Sequence, residues 1–256
     1  MTAIQSPSFH ADMLFKPVTA SLPEMLGALK EELLARHPND ENALVKPIVA
    51  KGLHGYGRLM TLNDRSSALS LLETRRSGKP RDLVAPGPSD AEVERILTIA
   101  TRTPDHGKLA PWRFVIVGPR QRQQLADLLA RALPEHDPDA TSAHYAKALE
   151  FAHQAPAMIV VISAPVRDHK IPVWEQELSC GAVAMNLLHA ATALGYVGGW
   201  ITGWAAYSDR VRDAFCEAGE RIAGFIFLGT PANPLEERPR PALSDLVRDW
   251  QPAENG

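Results

Sequence analysis

Three short stretches of this 256-residue chain gather side chains suited to holding an anion or a planar ring. In Arg75-Arg76-Ser77-Gly78-Lys79 a helical pattern delivers two guanidiniums, a hydroxyl and an ammonium within a few residues. Guanidinium forks pair bidentately with phosphate, and a serine hydroxyl completes such a cradle with a neutral donor. Basic residues also favour helix C-termini electrostatically, and the segment alone does not separate the two roles. The second stretch, Arg102 through Asp105, His106 and Lys108 to Pro111 and Trp112, is a proline-bounded loop between a helix and a strand. Loops carrying such groups often carry function, yet His106 is equally readable as a surface imidazole and Asp105 as a turn initiator. The third, Gly198-Gly199-Trp200-Ile201-Thr202-Gly203, lets a backbone approach a ligand closely and offers an indole face. A buried strand end with a core Trp reads the same residues another way.

Other chemistries find no foothold. GxGxxG after a strand, GxxxxGK[ST], GxSxG and HExxH are all missing, so the common nucleotide, hydrolase and zinc signatures fail together. Cys180 and Cys216 sit in no CxxC or Cys/His cluster, which predicts no metal and two reduced core residues. With 27 basic against 30 acidic residues the net charge is -3, without the basic excess that phosphate-backbone binding needs, so no nucleic acid partner is expected. The first 13 residues lack a signal-peptide pattern and no apolar run approaches ~18 residues, so the expectation is a cytoplasmic protein off the membrane.

The elements that must position these residues follow from periodicity. Ser21 and Glu24 make a capping box ahead of an amphipathic helix over residues 22–37. A weaker connecting segment follows, with a soft boundary near Arg65, so residues 1–66 read as an extension and 67–256 as the main domain. Helices are predicted over about 66–75, then from the Ser89/Glu92 cap, and over about 119–133, 141–153, 172–194 and 208–217. Strands are predicted at Arg113–Val117, Met158–Ser163, Val197–Ile201 and Ile222–Leu228. The 172–194 helix has little polar surface, with Gly181 and Ala184 permitting close approach, so it is expected to be buried, within the chain or between subunits. Alternating strands and helices imply a three-layer α/β or α+β domain.

Taken in order, these motifs resemble the nitroreductase family, especially its small NAD(P)H nitroreductase subgroup. The resemblance rests on Arg75-Arg76-Ser77, on Arg102 through His106 to Pro111-Trp112, and on Trp174-Glu175-Gln176-Glu177. It continues through Ala190–Gly195, Gly198–Gly203 and Gly224–Pro231, about Ser67 to Leu246 in all, leaving the first 66 residues without a counterpart. It implies an α+β fold, α/β/α in layers with a central, mainly antiparallel sheet, in an intertwined homodimer with FMN in two interface pockets.

By the same resemblance Arg75, Arg76 and Ser77 bind the FMN phosphate and pyrimidine edge, with Arg102 and His106 completing the cradle. Trp200, Ile201, Thr202 and Gly203 line the isoalloxazine ring. Ala190, Ala191, Thr192, Ala193, Leu194 and Gly195 match a segment assigned to the nicotinamide cofactor, although close helix packing suits these small residues at least as well. Arg240 resembles a basic residue that reaches the flavin phosphate in larger members, at a longer offset here. Since flavin does the redox chemistry, no catalytic side chain is expected. NAD(P)H would reduce the ring and a small electron-poor acceptor, a nitroaromatic or quinone, would reoxidise it by ping-pong kinetics. The alternatives are flavin destruction, dehalogenation or enoyl-type reduction on the same scaffold, a flavin-binding protein without efficient turnover, or a structural dimeric module.

Overall fold

The computed structural model describes residues 61–252, within a compact unit that opens at Thr61. The helix expected over residues 22–37 lies outside the described residues. In order, the elements are α1 (Ala68–Thr74), β1 (Leu83–Val84), α2 (Asp90–Ala100), β2 (Trp112–Ile116), α3 (Arg122–His136), α4 (Ser142–His153), β3 (Ala157–Ser163), α5 (Val173–Ala193), β4 (Val197–Ile201), α6 (Asp209–Phe215), β5 (Arg221–Pro231) and α7 (Leu243–Leu246). Each helix and strand expected after residue 66 is present, with ends displaced by a few residues. The two-residue β1 and the single turn of α7 are too short to leave a periodic signal and were not anticipated.

β5 is the spine of the sheet. It pairs antiparallel with β3 and with β4, its last two residues pair with β1, and β2 extends the sheet beyond β3. The strands have apolar residues at both parities because both faces are covered. Cross-strand pairs Met158–Phe227 and Val160–Phe225 pack under α3, α4 and α6, where Phe151 meets both phenyl rings edge-on. The intervening Ile159–Ile226 pair points to the other side, with Val161 and Leu228, against α2 and α5. The result is the expected α/β/α layering.

Local signals set the helix starts. Ser67 Oγ accepts from Ser70 N at α1, and at α2 the Ser89 and Glu92 side chains cap each other's backbone amides. Asn186 Nδ2 donates to the carbonyls of Ile99 and Ala100, tying the end of α2 to the middle of α5. Arg122, only 5% exposed, donates to the carbonyls of Ala152 in the last turn of α4 and of Gln154 and Ala155 just past it. A buried guanidinium there complements the helix C-terminus and satisfies carbonyls that have no helical partner. Arg122→Ala should cost about 2–4 kcal/mol of stability, since these acceptors would lose charge-assisted donors. Urea denaturation measures it, and a loss below about 1 kcal/mol would mean that water satisfies the carbonyls as well.

Candidate functional site

The Arg75–Ser77 segment leaves α1 as a braced turn. Thr74 Oγ1 donates to Ser70 O at 2.6 Å and accepts from Asp64 N at 2.9 Å, closing the helix. Asn63, at φ 57°, accepts from Arg76 N at 2.7 Å and donates from Nδ2 to Arg76 O at 3.2 Å. Both backbone groups of Arg76 are thereby fixed by one side chain that the sequence did not single out. Gly78 N donates to Gly198 O at 3.2 Å, and a Cβ at Gly78 would stand 2.8 Å from Val197 Cγ1, so the turn lies directly on β4.

The side chains on this turn form a crowded cationic group. Arg75 Nη1 donates to Ser77 Oγ at 3.1 Å, and Arg76 Nε donates to Glu236 O at 2.7 Å. Arg238 and Arg240 approach from the C-terminal segment, with Glu237 accepting from Arg240 at 2.8 Å and lying 3.9 Å from Arg76. Burial, then the charges of Arg240, Arg76 and Arg238, pull the Arg75 pKa below its ordinary value. Like charges held this close favour an incoming anion. A cavity of about 280 Å³ opens beside the turn, lined by Arg76, Ser77, Lys79, Asn233 and Leu235 among others. Behind it on α5, His189 is pushed toward its neutral form by burial and by the Arg75 charge.

The second group lies around the start of α5. His106 opens a turn after α2 and its Nδ1 is 2.7 Å from Glu175 Oε2. Arg102 is exposed just beyond α2. Glu175 and His189 stand on the same helix, separated by about 21 Å of its axis at 1.5 Å per residue. Within one chain the Arg75 group and the His106 group are therefore at opposite ends of α5.

The third stretch runs along β4, which meets the Arg75 turn at Gly198. Trp200 is 39% exposed and its Nε1 donates to Ala223 O at 3.1 Å, seating the indole over Gly224, where a Cβ would stand 2.0 Å from Nε1. Ile201 and Thr202 are half-buried, and Gly203, at φ 55°, is exposed with open space at its Cβ position. Thr202 and Gly203 also border an apolar cavity of about 220 Å³ formed with Leu129, Phe151 and Trp204. The 190–195 segment behaves as packing: Ala190, Ala191 and Thr192 are buried, and Thr192 Oγ1 donates to Leu188 O. Leu194 is half-buried, and Ala193 and Gly195 reach solvent.

The arrangement can bind an anion and a flat ring. Its cysteines are poor nucleophiles: burial pushes Cys180 and Cys216 each up to about 11. Cys180 is a core residue as expected, whereas Cys216 is only half-buried, because it follows the short α6 at the edge of that layer. Among the described residues no His/Cys/Asp/Glu group has metal-holding geometry, and no helix is long and apolar enough to cross a membrane.

Comparison with known proteins gives consistent likenesses. Residues 72–230 match the model described as the nitroreductase family. Two relatives bear the name "Putative NAD(P)H nitroreductase". The one from Haemophilus influenzae is 37% identical over 68% of this chain and 93% of its own. The other, YdjA of Escherichia coli strain K12, is 35% identical over 64% and 88%. In fold, the chain is similar to a mutant of the FMN and NADPH-dependent nitroreductase NfnB from Sphigopyxis sp. strain HMH, with TM-score 0.58, 20% identity, and coverage of 72% of this chain and 99% of that one.

His189 provides a pH test of the cationic group. Its folded pKa lies below its unfolded value near 6.5, so its contribution to stability is complete above about 6.5 and is lost as pH falls through the lower folded value. Arg75→Ala should raise the His189 pKa without restoring it fully, because burial is the larger cause. Histidine titration by NMR reads this, and an unchanged value in the variant would separate the two residues.

Proposed function

The chain belongs to the nitroreductase family, and from that premise we propose that it is an FMN-dependent oxidoreductase passing hydride or electrons from NAD(P)H to an electron-poor acceptor, a nitroaromatic or quinone. The observation that carries this reading is the crowding of Arg75, Arg76, Arg238 and Arg240 around a braced turn. A phosphate dianion answers that excess of charge with charge-assisted bonds, and Ser77 Oγ adds a neutral donor. The residues fit FMN further along β4, where the Trp200 indole, Ile201, Thr202 and the open Gly203 form a strip suited to an isoalloxazine ring.

FMN, when bound, supplies the hydride and electron transfer. The chain's own part is to hold and tune it. Arg76 or Lys79 would lie at the pyrimidine edge and stabilise negative charge gathering there, and the Thr202–Gly203 backbone would present donors to the opposite edge. The buried Ala190, Ala191 and Thr192 would support the ring's surroundings by packing. The oxidised donor, NAD(P)+, would leave before the acceptor takes its place on the same face, which is a ping-pong sequence.

Arg102 and His106 would complete the cradle from the other subunit of a homodimer. The separation along α5 supports this, since Glu175, beside His106, and His189, beside the Arg75 charge, stand about 21 Å apart on its axis. So does the apolar surface left open on one chain: Leu69 and Leu72 on α1, and Trp174 and Leu178 on α5, are each more than half exposed. Gly181, on α5, has open space at its Cβ position, as a helix that meets its symmetry mate closely would need.

Arg75→Ala should weaken FMN affinity about 10- to 100-fold through loss of one charge-assisted contact of roughly 1.5–3 kcal/mol. Fluorescence titration measures this, and unchanged affinity would remove Arg75 from the cradle. Initial rates against NADH at several fixed quinone concentrations should give parallel double-reciprocal lines, and intersecting lines would exclude the ping-pong order. NADH oxidation as fast without quinone as with it would mean that dioxygen takes the electrons, and would point instead to another flavin reaction on this scaffold.

A further inference from the structure

Trp174-Glu175-Gln176-Glu177 opens α5 and has so far no chemical role, yet two of its side chains converge on the His106 loop. We propose that Glu175 is a positioning residue: it grips Nδ1 of His106 and thereby fixes Nε2 as the ring atom presented to the flavin. This rests on the reading of His106 as a flavin contact.

The backbone around His106 is already held by other groups. Asp105 Oδ2 accepts from Ala110 N at 2.7 Å and Ser179 Oγ donates to Pro104 O at 2.6 Å. Gly107, at φ 80°, lies so close to Ile171 that a Cβ would stand 2.3 Å from Ile171 Cδ1. Ile171 is itself fixed by Gln176, 2% exposed, whose amide donates to Ile171 O and Val166 O, each at 3.0 Å, while its oxygen accepts from Val166 N at 2.8 Å. Gln176 thus sets the floor under the loop.

What that framework leaves free is rotation of the imidazole, and Glu175 supplies the missing constraint. An ionised carboxylate only accepts, so the 2.7 Å contact places a proton on Nδ1 and leaves Nε2 as an acceptor in the neutral ring or a second donor in the charged one. The side chains are 66% and 40% exposed, and a pair so open to water is worth little to folding. Its orienting power grows once a ligand and a second subunit exclude solvent around it. That is the behaviour of a group kept for a ligand rather than for stability.

The test is the FMN dissociation constant of the full chain, from flavin fluorescence, for the wild type, His106→Ala, Glu175→Ala, Glu175→Gln and the His106→Ala/Glu175→Ala double variant. His106→Ala should weaken binding about tenfold, Glu175→Ala by most of that, and the double variant no more than His106→Ala alone. Glu175→Gln keeps an acceptor for Nδ1–H and should return binding to within about threefold of wild type. Imidazole ¹⁵N spectra should show Nδ1 protonated in the wild type and the proton moved to Nε2 in neutral Glu175→Ala protein. If His106→Ala binds FMN as the wild type does, the reading of His106 fails and this inference falls with it. If His106→Ala is weakened while Glu175→Ala is not, or the two losses add in the double variant, the positioning role is overturned and the reading of His106 stands.

Discussion

Burial of one face of α5 against the sheet, through Cys180, Val183, Ala184, Leu187, Leu188 and Ala191, fixes the distance between everything that this chain offers to a ligand. A helix packed on strands on one side and pinned to α2 through Asn186 cannot bend or slide to bring its ends together. His189, with the Arg75 group, therefore stays at one end and Glu175, with His106, at the other. β4 starts at the Arg75 turn, with Gly198 beside Leu188 of the same helix, and carries Trp200 to Gly203 onward from there. The shape of the proposed ligand site follows from that helix length.

The cationic group brings like charges together on a fixed turn. Burial, and then the neighbouring guanidiniums of Arg240, Arg76 and Arg238, make the charge on Arg75 unfavourable, and Glu237 offsets part of that. Fixed backbone around the turn keeps the charges from dispersing: Asn63 holds Arg76, and Gly78 is bonded to Gly198. On the proposed reading, an anion would find donors already in place there. The His106 end works differently, by hydrogen bonds that cost and contribute little until solvent is excluded.

Much of this was legible in the sequence where periodicity or a cap is strong. The β3 and β5 runs, the Ser89/Glu92 box and the long apolar helix are all read from local pattern, and the order of Arg75, His106, Trp174 and Trp200 carries the family resemblance. What was not legible depends on contacts between distant residues. Nothing around Asn63 announces that it will bind both backbone groups of Arg76, and Glu175 looked like one letter of a motif until its partner 69 residues away was placed. Arg240 had an offset that argued against it, and Arg238 had no signal at all, because the turn after β5 decides where that segment goes. A helix drawn as a sequence pattern also conceals that its two ends serve different places.

The central claim is that a working cradle takes the Arg75 turn from one subunit and the His106 loop from the other. Mixing subunits tests it directly: Arg75→Ala protein and His106→Ala protein, each weak in FMN binding, are combined, exchanged and titrated with FMN. The account predicts that half of the sites in a mixed dimer are intact, so that tight binding reappears at one FMN per mixed dimer. If the mixture binds no better than its two components although exchange has occurred, both groups serve the same subunit's site and the account is wrong.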